Sequence, residues 1–193
     1  MPIPPPTEPD DRAALPPPRP LARSIVLVGL MGAGKTSIGR RLAKILDAGF
    51  ADADEEIAAA AGMSIPDIFA LYGEPRFREL ERRVVARMLE QPAMVLALGG
   101  GAFIDPTTRG RVKAAACSVW LRADLDTLVA RVTRKKGTRP LLDQGDPRDT
   151  LARLMTDRYP IYAEADYTVD TTSEPHDTVV ERILALLPRP EEA

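Results

Sequence analysis

Ser24-Ile25-Val26-Leu27-Val28-Gly29-Leu30-Met31-Gly32-Ala33-Gly34-Lys35-Thr36 is an apolar, β-branched run that breaks into glycines and ends on a lysine and a hydroxyl. It fits the pattern G-x-x-x-x-G-K-[ST] in full. Glycines at 29, 32 and 34 let the backbone turn with its N–H groups inward, where they and the start of the next helix cradle a polyphosphate. Lys35 then reaches the outer phosphates as a point charge, and the Thr36 hydroxyl is placed for Mg2+. The context agrees with the letters. A buried-strand pattern precedes the glycines, and Ile38, Leu42, Ile45 and Leu46 follow at helical spacing. A glycine-rich turn that binds nothing would account for the glycines but not for the Lys-Thr pair after them.

Working outward, the chain of 193 residues suits one domain with one real core. Lys and Arg number 26 against 28 Asp and Glu, a formal net charge of -2 that offers no field for a nucleic-acid backbone. Any anion must be met by local arginines. Cys117 is the only cysteine, which excludes a disulfide within the chain and a Cys-rich metal site, and its expected place is a buried strand. No apolar run is long enough to cross a bilayer, and the N-terminus lacks the basic-then-apolar order of a secretory signal. A cytoplasmic, reducing setting is expected, with no membrane partner.

Residues 1–22, with Pro4-Pro5-Pro6 and Pro16-Pro17-Pro18, read as an extended or disordered arm. A short tail, 188–193, resembles it, and 23–187 reads as the domain. There, apolar strands near 24–28, 50–53, 93–98, 117–121 and 166–170 alternate with amphipathic helices. That alternation predicts an α/β fold, a five-stranded parallel sheet with helices on both faces. Ser64-Ile65-Pro66-Asp67 supplies a cap, a first-turn proline and an acid at the third position. Asp124 and Pro175 open two more helices, Ala58 to Ala61 reads as helix, and another is expected from about Pro75 to Glu90.

In open α/β sheets ligands sit beyond the carboxyl ends of the strands. After the second strand comes Asp52-Ala53-Asp54, whose alternation points two carboxylates the same way if the segment stays extended. One would serve a metal and the other an acceptor hydroxyl; a plain helix cap by Asp54 explains it equally well. After the third strand, Gly99-Gly100-Gly101 brings bare backbone close to a partner. Residues 135–147, which include Arg139, form a long basic connection of the kind used as a lid. Arg78 and Glu81 stand one turn apart, and Arg158 lies in Asp157-Arg158-Tyr159-Pro160; each reads alone as ordinary surface, but both arginines also suit a carboxylate ligand. His176, with no partner pattern around it, is expected in a structural surface role.

Taken in order, Gly29-Leu30-Met31-Gly32-Ala33-Gly34-Lys35-Thr36, Asp52-Ala53-Asp54, Phe77-Arg78 with Glu81, Gly99-Gly100-Gly101, Arg139-Pro140-Leu141-Leu142 and Arg158-Tyr159-Pro160-Ile161-Tyr162 resemble the motifs of the shikimate kinases. The resemblance runs from about Ser24 to Leu187. It implies a three-layer α/β/α P-loop NTPase of the nucleoside monophosphate kinase type with a mobile lid, acting on ATP and shikimate with one Mg2+; a self-contained fold of this kind leads us to expect a monomer, with a weak dimer as the alternative. By the same resemblance Lys35, Asp54 and Arg139 are catalytic. Asp54, Arg78, Glu81, Gly100, Gly101 and Arg158 meet shikimate, with Phe69 and Phe77 as an apolar wall. Gly32, Ala33, Gly34, Lys35, Thr36 and Ser37 hold the phosphates of ATP, Thr36 and Asp52 serve the metal, and Arg131 or Arg134 covers adenine, with Arg131 preferred. Thr171-Thr172-Ser173-Glu174-Pro175 departs from the pattern in having no basic residue near the base.

Two other readings stay in view. A gluconate kinase or a nucleoside monophosphate kinase would use the same scaffold, although paired arginines suit a carboxylate acceptor. A catalytically silent nucleotide-binding module would usually lack Lys35, Asp54 or Arg139, and all three are present.

Overall fold

A computed structural model describes residues 21–134, 146–172 and 174–187 of the chain. Five strands, β1 (Ser24–Val28), β2 (Phe50–Asp52), β3 (Val95–Ala97), β4 (Ala116–Arg122) and β5 (Tyr167–Asp170), form one sheet in the order β2-β3-β1-β4-β5. Every pairing is parallel. The helices are α1 (Lys35–Ile45), α2 (Ala53–Ala61), α3 (Ile65–Leu89), α4 (Pro106–Ala115), α5 (Leu125–Thr133), α6 (Pro147–Tyr162) and α7 (His176–Leu186), with a 3-10 turn at Ala102–Ile104.

β1 is buried at all five positions, as the uninterrupted apolar run requires of a central parallel strand. Its side chains join those of Ile38 and Leu42 from α1, Val95 and Leu96 from β3, and Val119 and Leu121 from β4 in one core. The chain passes from β3 to β4 across β1, so the strand order reverses at β1. That reversal opens a crevice at the carboxyl edge of the sheet. Leu27 and Asp52 are both level with Ala97, so β1, β2 and β3 release their loops at the same height.

Local chemistry sets the helix starts as expected. Ser64 Oγ accepts from Asp67 N–H at 3.3 Å to cap α3, and Asp124 Oδ1 accepts from Thr127 N–H at 2.7 Å to cap α5. The helix expected from about Pro75 is the second segment of α3, which breaks at Gly73 (φ 75°, ψ 171°) and resumes through Pro75.

Several boundaries differ. β2 stops at Asp52 rather than 53, because Ala53 begins α2. β3 is shorter than 93–98, although its bonds to β1 run on from Ile25 N–H to Met94 O and from Leu98 N–H to Leu27 O. β4 extends to 116–122. β5 begins at Tyr167, since the Asp166 carboxylate instead turns across to accept from the N–H and hydroxyl of Ser118, both at 2.7 Å. Cys117 lies on β4 but is only half-buried, with its thiol pushed up to about 11 by burial and by Asp166. Leu21 packs on the core. The remainder of the proline-rich arm, residues 188–193 and the candidate lid, 135–145 with Arg139, lie outside the described residues. Pro147 is the first residue of α6.

Candidate active site

The crevice at the carboxyl edge is a cleft of about 900 Å3 with a phosphate-loop end and an end built by α2, α3 and the loop after β3. At the first end, Gly32 (φ 85°) and Gly34 (φ 96°) carry the chain into the N-terminus of α1. Lys35 Nζ donates back to Gly29 O at 2.8 Å and Leu30 O at 3.1 Å. The ammonium is thus held over its own loop. Gly32, Gly34, Lys35, Thr36 and Ser37 line the cleft; Ala33 is buried, with its N–H bonded to Leu30 O at 3.2 Å.

Asp52 joins this end to the next. Its Oδ2 accepts from Thr36 Oγ1 at 2.6 Å, and its Oδ1 caps α2 by accepting from Asp54 N–H at 3.0 Å. The extended Asp52-Ala53-Asp54 alternation is therefore not what forms. The cap falls to Asp52 because β2 ends there, and Asp54 sits in the first helical turn. Both carboxylates still line the cleft. A hydroxyl beside a carboxylate is a hard oxygen donor set that fits Mg2+, which takes few protein ligands alongside a nucleotide's phosphates. Among the described residues no three His, Cys, Asp or Glu side chains gather into a metal site of their own.

Asp54 faces Gly99. A Cβ on Gly99 would lie 2.7 Å from Asp54 Oδ1 and 3.2 Å from Glu81 Oε1, so only glycine leaves room for both carboxylates. On Gly101 it would lie 2.7 Å from Arg78 Cζ. The glycine triplet is a close approach to charged side chains rather than a loose turn. Gly100 O accepts from Arg158 Nη1 at 2.8 Å and from the buried Tyr162 hydroxyl, which burial pushes up to about 12.

Arg78 and Glu81 are not an ordinary surface pair. Glu81 Oε2 accepts from Arg78 Nη1 at 2.7 Å with the glutamate side chain only 3% exposed. Burial pushes the Glu81 carboxyl above its usual range, with Arg78 opposing and Asp54 reinforcing the shift. For Arg78, burial alone would lower the guanidinium pKa, but Glu81 and Glu74 outweigh it and the net direction is up. Phe69 and Phe77, ring centroids 4.5 Å apart, form an apolar wall, and the Arg78 guanidinium lies 5.1 Å from the Phe77 ring centre.

Arg131 spans the nucleotide end. It donates to Gly32 O at 3.2 Å, to Thr171 Oγ1 at 3.3 Å and to Thr172 O, tying the phosphate loop to the loop after β5. Burial lowers its pKa. Arg134, one turn on, also lines the cleft. His176 is a half-buried cleft residue, not simply a surface one, and a Cβ on Gly34 would come within 3.7 Å of its Nε2. A lone histidine carries no sequence signal for this; the topology that brings α7 beside α1 does. Tyr162 and Gly99 were present in the motifs, but their roles depend on contacts across the fold.

The family model described as shikimate kinase matches residues 31–188. The shikimate kinase of Paramagnetospirillum magneticum is 58% identical over 164 residues, 85% of this chain and 84% of the relative. That of Bradyrhizobium diazoefficiens is 52% identical over 166 residues, 86% and 80% of the two chains. Among solved structures, shikimate kinase from Acinetobacter baumannii in complex with shikimate superposes with a TM-score of 0.82 at 39% identity, covering 85% of this chain and 92% of that one. With a phosphate loop and an arginine-lined pocket in one cleft, and relatives alike along most of both chains, the chain belongs to the shikimate kinase family of ATP-dependent kinases.

Proposed function

We propose that this cleft transfers the γ-phosphoryl group of MgATP to the 3-hydroxyl of shikimate, giving shikimate 3-phosphate and ADP. The observation that carries the reading is the meeting, in one cleft, of Lys35, Thr36 and Asp52 with Asp54, Arg78, Glu81 and Arg158. The first group suits a metal-bound polyphosphate, and the second a small polyhydroxylated acid.

Arg78 and Arg158 take the carboxylate of shikimate, each held by other contacts so that little rotational freedom is lost on binding. The backbone of Gly100 and Gly101 lies against the ring, Phe69 and Phe77 cover its apolar side, and Glu81 holds Arg78. Asp54 orients the 3-hydroxyl and accepts its proton as the new O–P bond forms and the bond to ADP breaks. Thr36 and Asp52 hold Mg2+, the aspartate through water. When bound, the ion held there would supply positive charge to offset that developing on the phosphoryl oxygens in a loose transition state. Lys35 exchanges the Gly29 and Leu30 carbonyls for phosphate oxygens, so its charge is already at the site where it is needed.

Arg139 completes the charge neutralisation from the lid, a role that rests on its motif. Arg131 stacks on adenine: its edge is fixed by carbonyl and hydroxyl acceptors, which leaves a guanidinium face for the base. The self-contained fold suits a monomer, and the near-neutral charge calls for no nucleic-acid partner. Among the described residues no helix is long and apolar enough to cross a membrane, and we place the enzyme in the cytoplasm.

The test is ADP release from MgATP with shikimate, gluconate or AMP, using Lys35→Ala as the blank. Turnover with shikimate alone is expected. Turnover with another acceptor would keep the kinase but overturn the pocket, and MgATP binding without any turnover would favour a silent module. Arg139→Ala is expected to slow transfer, and an unaltered rate would remove it from the mechanism.

A further inference from the structure

A guanidinium has five N–H bonds. In Arg78 one from Nη1 goes to Glu81 Oε2 at 2.7 Å, while Nε and Nη2 both donate to Glu74 Oε1, at 3.2 and 3.1 Å. Three of the five are committed, which leaves one on Nη1 and one on Nη2. Those two are what remains for a bound carboxylate.

Glu74 is unlike Glu81. Its side chain is 64% exposed, and an exposed pair four residues apart adds little to a helix. The backbone nevertheless goes to some length to deliver it. Gly73 breaks α3 with a positive φ, Pro75 restarts the helix, and Glu74 stands between them one turn ahead of Arg78. The carboxylate is placed against the Nε edge of an arginine whose own side chain is only 24% exposed.

We propose that Glu74 is a positioning residue for the acceptor: by holding the Nε edge of Arg78 it fixes the rotation of the guanidinium about its long side chain. The N–H bonds that remain on Nη1 and Nη2 are thereby held steady in the cleft that Arg78 lines. This rests on the reading of Arg78 as partner of the acceptor's carboxylate. A carboxylate so placed has one other use, as a competitor for the same arginine, and the two uses have opposite signs.

Both bonds end on one oxygen, so Glu74→Gln keeps an acceptor in place and removes the charge, whereas Glu74→Ala removes both. Steady-state kinetics of the full chain are the readout. Glu74→Ala is expected to raise KM for shikimate about tenfold, as misaiming a fixed binding group does, with kcat and KM for MgATP within about twofold. Glu74→Gln is expected to restore most of the loss, and in an Arg78→Ala background Glu74→Ala should add nothing further. The thermal midpoints of the Glu74 variants should match the parent's. An unchanged KM for shikimate in Glu74→Ala, or effects that simply add to those of Arg78→Ala, overturns the proposal, and a lower KM identifies Glu74 as a competitor instead. If Arg78→Ala itself leaves KM for shikimate unchanged, the assignment of the acceptor site fails as well, so the two failures are told apart.

Discussion

The carboxylates of Asp54 and Glu81 converge on one point, the place a Cβ on Gly99 would occupy, 2.7 Å from Asp54 Oδ1 and 3.2 Å from Glu81 Oε1. One comes from the first turn of α2 and the other from the buried side of α3, and Asp54 contributes to the upward shift of the Glu81 carboxyl. Two acids face the same few cubic ångströms, and the missing side chain between them is what makes that possible.

Gly99→Ala is therefore expected to act on chemistry more than on folding. A methyl group there must displace Asp54 Oδ1, 2.7 Å away, from the place where the proposed function has it meet the acceptor. A fall in kcat of about 100-fold is expected, in line with the cost of misplacing a reacting group by about 1 Å. Turnover within twofold of the parent enzyme would show that the acceptor pocket has slack.

Asp54→Asn keeps the shape and removes the group proposed as the base. We expect kcat to fall by roughly 10²- to 10⁴-fold, the usual range for a general base, with KM for MgATP retained. Near-normal turnover would remove Asp54 from the reaction.

The cap that Asp52 forms and the metal role proposed for it separate by substitution. Asparagine is as good a helix cap as aspartate, whereas alanine is not and costs about 0.5 to 2 kcal/mol. Asp52→Asn should leave the denaturation midpoint close to that of the parent while raising the Mg2+ concentration needed for half-maximal rate. Asp52→Ala should lower both stability and activity. If the asparagine variant shows the parent's Mg2+ dependence, Asp52 is a structural residue only.

His176 gives a pH signature. Burial first, then the Arg41 and Arg131 cations, lower its pKa from the ordinary 6.5, with Asp177 opposing. A folded-state pKa below the unfolded one means that the unfolded chain binds the extra proton first. The contribution to stability is complete above the unfolded value and declines as pH falls through it. NMR titration of the free protein should place the midpoint below 6.5, and a nucleotide, which brings an anion to this edge, should raise it. A midpoint at or above the ordinary value would contradict the environment described.

What the sequence made legible follows from how local each signal is. The phosphate loop is a contiguous pattern, so strand, turn, lysine and threonine were all readable from it. The strand order was not, yet the position of the site was, because a parallel α/β sheet presents its loops at one edge whatever the order. Asp52 and Asp54 could not be told apart in advance. Which aspartate caps α2 depends on where the pairing of β2 with β3 ends, a property of two strands more than 40 residues apart. The i, i+3 spacing of Arg78 and Glu81 is the same on a surface and in a pocket, and only the packing of the loop after β3 over α3 makes it a buried pair. Glu74 and His176 carry no motif of their own and acquire their places from a helix break and from the closing helix.

The shared height of Leu27, Ala97 and Asp52 across three strands also bears on quality control. A slip of β3 by one residue would displace Gly99 by about 3.3 Å and turn its neighbours to the wrong face. Such a molecule would keep nearly all its helices, so its circular dichroism would pass for native, but Asp54, Glu81 and Arg78 would no longer meet their glycines. Turnover per mole of protein is in that sense a ruler for strand alignment, and a preparation of low specific activity but correct spectrum is one to examine for misregistered chains before it is blamed on chemistry.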